Sequence, residues 1–311
     1  MKNNLSNIKK AIKYLNKNEC IGIPTETVYG LAANAYSNKA TKKIFQLKKR
    51  PKKNPLIVHY YNLKDLEKDC EITAKFLNIY YKFSPGPISY VLKLKKESKI
   101  SKNVTNGKKT LAVRFPNHKI IRRLLKDLEY PLAAPSANIS KKISPVSKDD
   151  VEDEFGQRIK FILDGGRCKI GLESTIINLV NKPTILRLGG LDKNKLRKYL
   201  VYLTNKDFNK NKTAVPGQGK IHYSPDIPVR LNIIKPKKNE AFLLIKKRKV
   251  QNKNYFYLSK NENLKEIAKN LYKTLRYVKK KRFKSVAVEK IPNKGIGETI
   301  NDRLIRASKK L

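Results

Sequence analysis

Seven side chains of the kinds that grip anions or hydrogen-bond small polar ligands, Thr27, Arg50, Asn54, Arg114, Ser136, Ser174 and Arg187, all fall where an apolar run ends or the chain turns. Strand ends and turns are where scaffolds place binding and catalytic groups. In KKRPKKNPLIVHY, residues 48–60, Pro51 and Pro55 forbid a continuous helix and stiffen an extended loop, so Lys48, Arg50 and Asn54 project from a constrained backbone. In TLAVRFP, residues 110–116, Arg114 stands on an otherwise apolar strand, where a desolvated guanidinium needs an anion or a carboxylate. A strand-edge salt bridge would serve. With 25 Asp+Glu against 71 Lys+Arg, an external anion is the fairer expectation. APSAN (134–138) lets the backbone approach a ligand, DGGRCKIGLESTIIN (164–178) sets Glu173, Ser174 and Thr175 after a Gly-Gly turn, and ILRLGG (185–190) ends a strand on Arg187 beside two glycines. IPTETVYGLA (23–32) gathers Thr25, Glu26 and Thr27, and taken alone it reads best as a helix cap.

Several chemistries are excluded. PGQGKI (216–221) lacks the spacing of a phosphate loop, GIG (295–297) is a lone GxG at the start of a helix, and no serine sits in a GxSxG elbow. Three cysteines and three histidines lie too far apart for a zinc site or a disulfide framework, as in a reducing compartment, so no resident metal is expected. No apolar run can span a bilayer and no signal-type block opens the chain, which predicts a soluble, cytoplasmic protein. The net charge of +46 draws polyanions without selecting one, and its even spread along the chain leaves it uninformative about partners.

These groups need a scaffold. Strands are expected at 20–25, 55–60, 88–94, 110–115, 131–136, 161–166, 174–180 and 184–188, and helices at 38–49, 64–81, 117–128, 147–155 and 192–203, with a first helix carrying Leu5, Ile8, Ile12 and Leu15. That alternation predicts an α/β (α+β) domain over residues 1–203. Residues 204–230 are polar, aperiodic and punctuated by Pro and Gly, as a linker is. Residues 231–311 then form a small α/β domain around a helix whose stripe is Leu264, Ile267, Leu271, Leu275 and Val278.

In order, PTETVYGLAANA, KKRPKKNPLIVH, SPGPISYVLK, LAVRFP, APSANIS, DGGRCKIGLESTIIN and ILRLGG resemble the YrdC-like threonylcarbamoyl-AMP synthases across about residues 20–190, and HYSP at 222–225 resembles the linker motif of their longer, two-domain form. The resemblance implies a YrdC-like twisted mixed sheet with flanking helices around a basic cavity, followed by a Rossmann-like C-terminal domain. It implies that L-threonine, bicarbonate and ATP give threonylcarbamoyl-AMP and pyrophosphate, with Mg2+ carried by ATP, for threonylcarbamoyladenosine in tRNA next to the anticodon. Hand-over to the tRNA threonylcarbamoyl transferase machinery is expected, with no membrane and with non-specific tRNA contact open. Matched positions give Thr27, His59, Arg114 and Ser174 to threonine, and Arg50, Asn54, Thr110, Ala134, Ser136, Ser144, Arg187 and Tyr223 to ATP, with Lys48 and Arg50 catalytic. Tyr223, in the linker, suggests a lid hinged at Gly217 and Gly219. The chain departs from the family pattern at Lys141, Asn178, Leu188 and Ala32, where members carry Gly, Asp, Pro and Gly.

Two other classes compete. An RNA-binding module would use the same basic cavity without turnover, but no row of stacking aromatics is visible in the sequence. A carbamoyl-transfer domain of the hydrogenase-maturation type would bring zinc-finger-like and acylphosphatase-like segments that this chain lacks. The basic run at 48–53 should therefore divide by function. Arg50→Ala is expected to abolish pyrophosphate release, whereas Lys49→Ala and Lys52→Ala stay within about twofold of wild type, as substitutions at solvated positions usually do. Equal losses in all three would contradict a built site.

Overall fold

The computed structural model of the chain describes residues 2–200, 203–205, 222–250 and 252–309, so Gly217, Gly219 and most of the expected linker lie outside the described residues. In chain order the larger part comprises α1 (Lys2–Asn16), β1 (Ile21–Ile23), β2 (Gly30–Asn34), α2 (Asn38–Lys48), β3 (Ile57–His59), α3 (Leu63–Glu67), α4 (Ala74–Phe83), β4 (Ile88–Lys93) and α5 (Lys102–Thr105). It continues with β5 (Thr110–Arg114), α6 (Lys119–Lys126), β6 (Leu132–Ala133), α7 (Lys148–Phe155), β7 (Thr175–Asn178), β8 (Thr184–Arg187), α8 (Lys193–Arg197) and β9 (Thr204–Asn205). The strands make one mixed sheet in the order β1-β2-β6-β3-β5-β4-β7-β8-β9.

Register explains how distant residues meet. His59 pairs with Arg114, Arg114 with Ser89, Ser89 with Ile176 and Ile176 with Arg187, one cross-strand row over five neighbouring strands. Partners in such a row point to the same face, and residues two positions away share it. Ile57, Val91 and Ala112, two positions from His59, Ser89 and Arg114, accordingly join Ile176 of the row in a small apolar cluster, to which the register shift between Ile176 and Ile177 adds Leu186. The alternate residues Val58, Val113, Tyr90 and Ile177 enter the main core on the opposite face. A shift by one residue would exchange the two sets, so burial of the core fixes the site.

Local chemistry corrects several expectations. The segment 64–81 is two helices, because Asn62 and Thr73 each cap a new start, accepting from the Asp65 and Phe76 amides. The run at 161–166 is not a strand: only Ile162 bridges to Gly22, before Asp164-Gly165-Gly166 turns with Gly166 at φ +71°. Residues 134–136 likewise leave β6 as a loop, and the helix expected at 192–203 shortens to Lys193–Arg197. In α1 the buried stripe is Ile8, Ala11 and Leu15, while Leu5 is half exposed. The strand β2 was not expected, since Leu-Ala-Ala-Asn has no strand preference; pairing with β1 and β6 in the core overrides propensity.

The smaller part holds β10 (Val229–Arg230), β11 (Ala241–Leu244), β12 (Tyr255–Tyr257), α9 (Leu264–Lys280), β13 (Val286–Val288) and α10 (Ile296–Ala307). Its sheet is parallel throughout, ordered β10-β13-β11-β12. Ile267, Leu271, Leu275 and Val278 of α9 are buried as their spacing predicts, and they belong to the same apolar core as the large sheet. The turn after β8 is the seam between the parts: Thr299 Oγ1 of α10 donates to the Gly189 carbonyl at 3.1 Å. A Cβ on Gly189 would lie 2.2 Å from the Ser174 carbonyl carbon and 2.3 Å from the Thr175 nitrogen, backbone atoms that cannot step aside. Gly189→Ala is therefore expected to cost at least about 2 kcal/mol of stability, the upper range of overpacking effects; an unchanged urea midpoint would refute this packing.

Candidate functional site

The cavity opens where the polar row meets the loops. Of the expected residues, Arg50, His59, Arg114, Ala134, Ser136, Ser174, Arg187 and Tyr223 line it, together with Thr25, Tyr29, Gly30, Pro135, Glu173 and His222, which were given no ligand role from sequence. Thr27, Lys48, Asn54, Thr110 and Ser144 are not among the lining residues.

The loop after β1 is not a helix cap, because β2 follows it. Thr25 Oγ1 instead accepts from the amides of Thr27 (3.1 Å) and Val28 (3.2 Å) and donates to the Val28 carbonyl at 2.6 Å, a hydroxyl-closed turn that buries Thr27. The same turn aims Glu26 at Arg114. Their ion pair, 2.7 Å from Nη2 to Oε1, is buried on both sides, and the second oxygen of Glu26 accepts from the Asn117 amide. The expectation that Arg114 lacks an internal carboxylate is thus corrected; few acids does not mean none at this place. Its Nε nevertheless has no hydrogen-bond partner among the described residues.

The other cations are held by backbone oxygens. Arg50 donates from Nε to the Asn54 carbonyl (3.1 Å) and from Nη2 to that of Pro55 (2.9 Å). Burial, reinforced by the nearby Arg187, lowers its pKa to about 9. Arg187 donates twice to the Ser174 carbonyl, at 3.1 and 2.7 Å, and once to its Oγ at 3.1 Å, while Ser174 Oγ lies 2.8 Å from Ser89 Oγ. Lys48, fully buried at the end of α2, gives Nζ to the carbonyls of Ser136 (2.5 Å) and Asn138. Burial, then Arg50, holds its pKa well below the usual lysine value. Lys48 therefore sits beneath the 134–138 loop and shapes the cavity wall from behind. Asn54 gives Arg50 its carbonyl and keeps a buried Oδ1 without a partner, and Thr110 lines a separate recess with Pro55 and Lys108.

Two elements from outside the large sheet complete the wall. His222 and Tyr223 pack at 4.0 Å, and Tyr223 stacks on Tyr272 of α9 at 5.8 Å with the Arg303 guanidinium 4.8 Å from its ring centre. The Ser224 amide donates to the Lys141 carbonyl at 2.9 Å. Lys141 has φ +75°, the left-handed region that favours the glycine found there in relatives of the resembled family. Glu173 receives Ser144 Oγ at 2.6 Å, Arg303 Nε at 2.9 Å and the Tyr272 hydroxyl at 3.2 Å. Burial alone would raise its pKa; Arg303, Arg187 and the Ser144 hydroxyl outweigh that and hold it at about 2.

His59 Nδ1, Arg114 Nε, His222 Nδ1 and the Tyr223 hydroxyl, on residues that line the cavity, are buried and have no hydrogen-bond partner among the described residues. Buried polar atoms are rarely left unpaired, so four around one cavity point to a polar ligand. Both imidazoles are neutral: burial lowers His222 to about 3, and burial with Arg114 lowers His59 well below the usual histidine value. The wall thus offers guanidinium groups for an anion and neutral imidazoles for hydrogen bonds. Among the described residues no cluster of His, Cys, Asp or Glu could hold a metal ion.

Residues 13–189 match the family model described as Telomere recombination (Sua5, YciO and YrdC), and residues 191–309 match Threonylcarbamoyl-AMP synthase, C-terminal domain. The chain belongs to the threonylcarbamoyl-AMP synthase family. Threonylcarbamoyl-AMP synthase from Pyrococcus abyssi is 35% identical over 97% of this chain and 94% of its own length. The Bacillus subtilis enzyme is 32% identical over 97% and 92%. The crystal structure of P. abyssi Sua5 complexed with L-threonine superposes with a TM-score of 0.89 at 33% identity, covering 97% of this chain and 94% of that one. The match of both family models confirms the two-domain form of this synthase family and sets the hydrogenase-maturation alternative aside.

For this synthase-family chain, the sequence did not point to Tyr272 and Arg303, which reach Glu173 and Tyr223 of the cavity wall only through packing of the second domain. His222 adjoins Tyr223 in the HYSP motif and could have been read with it. The Glu173 carboxylate also makes stability depend on pH. Its pKa is depressed on folding, so its contribution is complete above the unfolded value near 4.5 and is lost as pH falls toward 2. Glu173→Gln is expected to cost about 3–5 kcal/mol at pH 7, as breaking a buried ion pair does. The gap to wild type, measured by urea unfolding, should narrow below about pH 4.5; a gap independent of pH down to 3 would contradict an ionised Glu173.

Proposed function

We propose that the chain condenses L-threonine, bicarbonate and ATP into threonylcarbamoyl-AMP and pyrophosphate. The observation that carries the reading is the set of unpaired polar atoms of His59, Arg114, His222 and Tyr223 gathered with Arg50 and Arg187 around one cavity. Threonine's amine and bicarbonate lose water to form a carbamate. A carbamate oxygen then bonds to the α-phosphorus of ATP while the bond from that phosphorus to the β-bridging oxygen breaks, and pyrophosphate leaves with its charge. Both partners are anions, so holding them in line against their repulsion is the main requirement, and a preorganised positive cavity supplies it without a covalent nucleophile. Mg2+ would enter with ATP and screen its phosphates.

In this reading Arg114 takes the threonine carboxylate through its unpaired Nε, and His59, Thr27 and Ser174 shape the amino-acid end. Arg50 and Arg187 take the phosphates, while Asn54, Thr110, Ala134, Ser136 and Ser144 bound the nucleotide. Lys48 keeps the catalytic role proposed from sequence in a positional form, fixing the Ser136 loop. The chemistry belongs to residues 1–203, and Tyr223, in the stretch read from sequence as a linker over 204–230, acts as a lid that keeps water from the mixed anhydride. Three free, buried cysteines and the absence of any membrane-length apolar helix among the described residues favour a cytoplasmic setting, with product passed to the tRNA threonylcarbamoyl transferase machinery.

Pyrophosphate release is expected to require both L-threonine and bicarbonate. Turnover indifferent to either, or salt-sensitive RNA binding with no turnover, would overturn the reading in favour of another one. Tyr223→Ala should lower the yield of intact threonylcarbamoyl-AMP more than it lowers ATP consumption, read by chromatography of the product; equal yields would remove the lid.

A further inference from the structure

Among the described residues lining the cavity, Glu173 is the only carboxylate. It stands next to Ser174, whose carbonyl holds Arg187, in a wall otherwise suited to anions. A carboxylate there would repel an incoming phosphate and compete for the guanidinium groups meant to bind it. Its oxygens are instead taken up elsewhere: Oε1 by Ser144, and Oε2 by Tyr272 and Arg303. Two of those three partners come from the second domain. Arg303 is 1% exposed and fixed at all three nitrogens, with Nε on Glu173 (2.9 Å), Nη2 on the Leu188 carbonyl (2.6 Å) and Nη1 on Asp302 (2.5 Å).

We infer that Arg303, a residue of α10 that does not line the cavity, is a positioning residue for nucleotide binding: it neutralises Glu173 and keeps that carboxylate from opposing the phosphates beside Arg187. The inference rests on the proposed synthase reading. It gives the C-terminal domain an electrostatic task in the active site. Buried charges close together interact far more strongly than exposed ones, so removal of one cation is felt across the cavity. The same contacts hold the turn after β8 through Leu188, so packing alone would also make Arg303 matter; the carboxylate is what separates the two roles.

The experiment compares wild type, Arg303→Met, Glu173→Gln and the double variant, measuring ATP affinity by calorimetry and the KM values for ATP and L-threonine in pyrophosphate release. Arg303→Met should weaken ATP binding about tenfold and shift the KM for L-threonine less than about threefold. The double variant, with both buried charges gone, should return ATP affinity to within about threefold of wild type. ATP affinity unchanged in Arg303→Met, or a double variant as weak as the single one, overturns the inference. If Arg303→Met does not fold, Glu173→Gln decides: affinity for ATP equal to or above wild type supports the inference, and weaker affinity overturns it. Wild-type protein that binds no ATP would instead overturn the synthase reading and this inference together.

Discussion

Cations brought together out of water repel one another, and the structure depends on how that repulsion is contained. Two like charges about 5 Å apart at an effective dielectric near 20 repel by roughly 3 kcal/mol. Arg50, Arg114 and Arg187 share one cavity, with Lys48 behind its wall. Arg114 pairs with a carboxylate, Glu26, while Arg50, Arg187 and Lys48 donate to the carbonyls of Asn54, Pro55, Ser174, Ser136 and Asn138. Carbonyl dipoles satisfy the N–H groups without cancelling the net charge, so the cavity stays positive. The loop supplying the Asn54 and Pro55 carbonyls must hold its shape, which accounts for the prolines at 51 and 55, and the hydroxyl-closed turn at Thr25 does the same for Glu26.

The cross-strand row supplies what the loops cannot. His59, Ser89, Arg114 and Arg187 come from four strands distant in sequence, and each lies where hydrogen-bond register leaves it. Beside them the apolar cluster of Ile57, Val91, Ala112 and Leu186 excludes water from the same face. Low local polarity strengthens each contact that a ligand would make.

Much of this was legible in the residue order. Short β-branched runs named β3, β4, β5, β7 and β8, and the heptad-like stripe of α9 named its buried face, because both patterns report which side meets the core. β2 was not legible, since its small residues are strand-forming only when flanked by β1 and β6. Eight of the thirteen expected ligand residues line the cavity; Lys48 and Ser144 hydrogen-bond to Ser136 and Glu173 of its wall instead. Arg114 misled because composition describes the whole chain, whereas one acid at position 26 suffices locally. Arg303 left no trace in sequence, being one arginine among many until α10 docks.

The shared core and the Glu173–Arg303 pair have a mechanical consequence. Pulling the second domain away would strand a carboxylate and a guanidinium in apolar surroundings and uncover the face of α9 that completes the large sheet's core. Breaking the buried ion pair alone would cost about 3–5 kcal/mol, before the exposed apolar surface is counted. The contacts that join the two parts, Arg303 with Glu173 and α9 with the shared apolar core, come from side chains far from the connecting segment in sequence, so packing as well as chain connectivity holds the parts together.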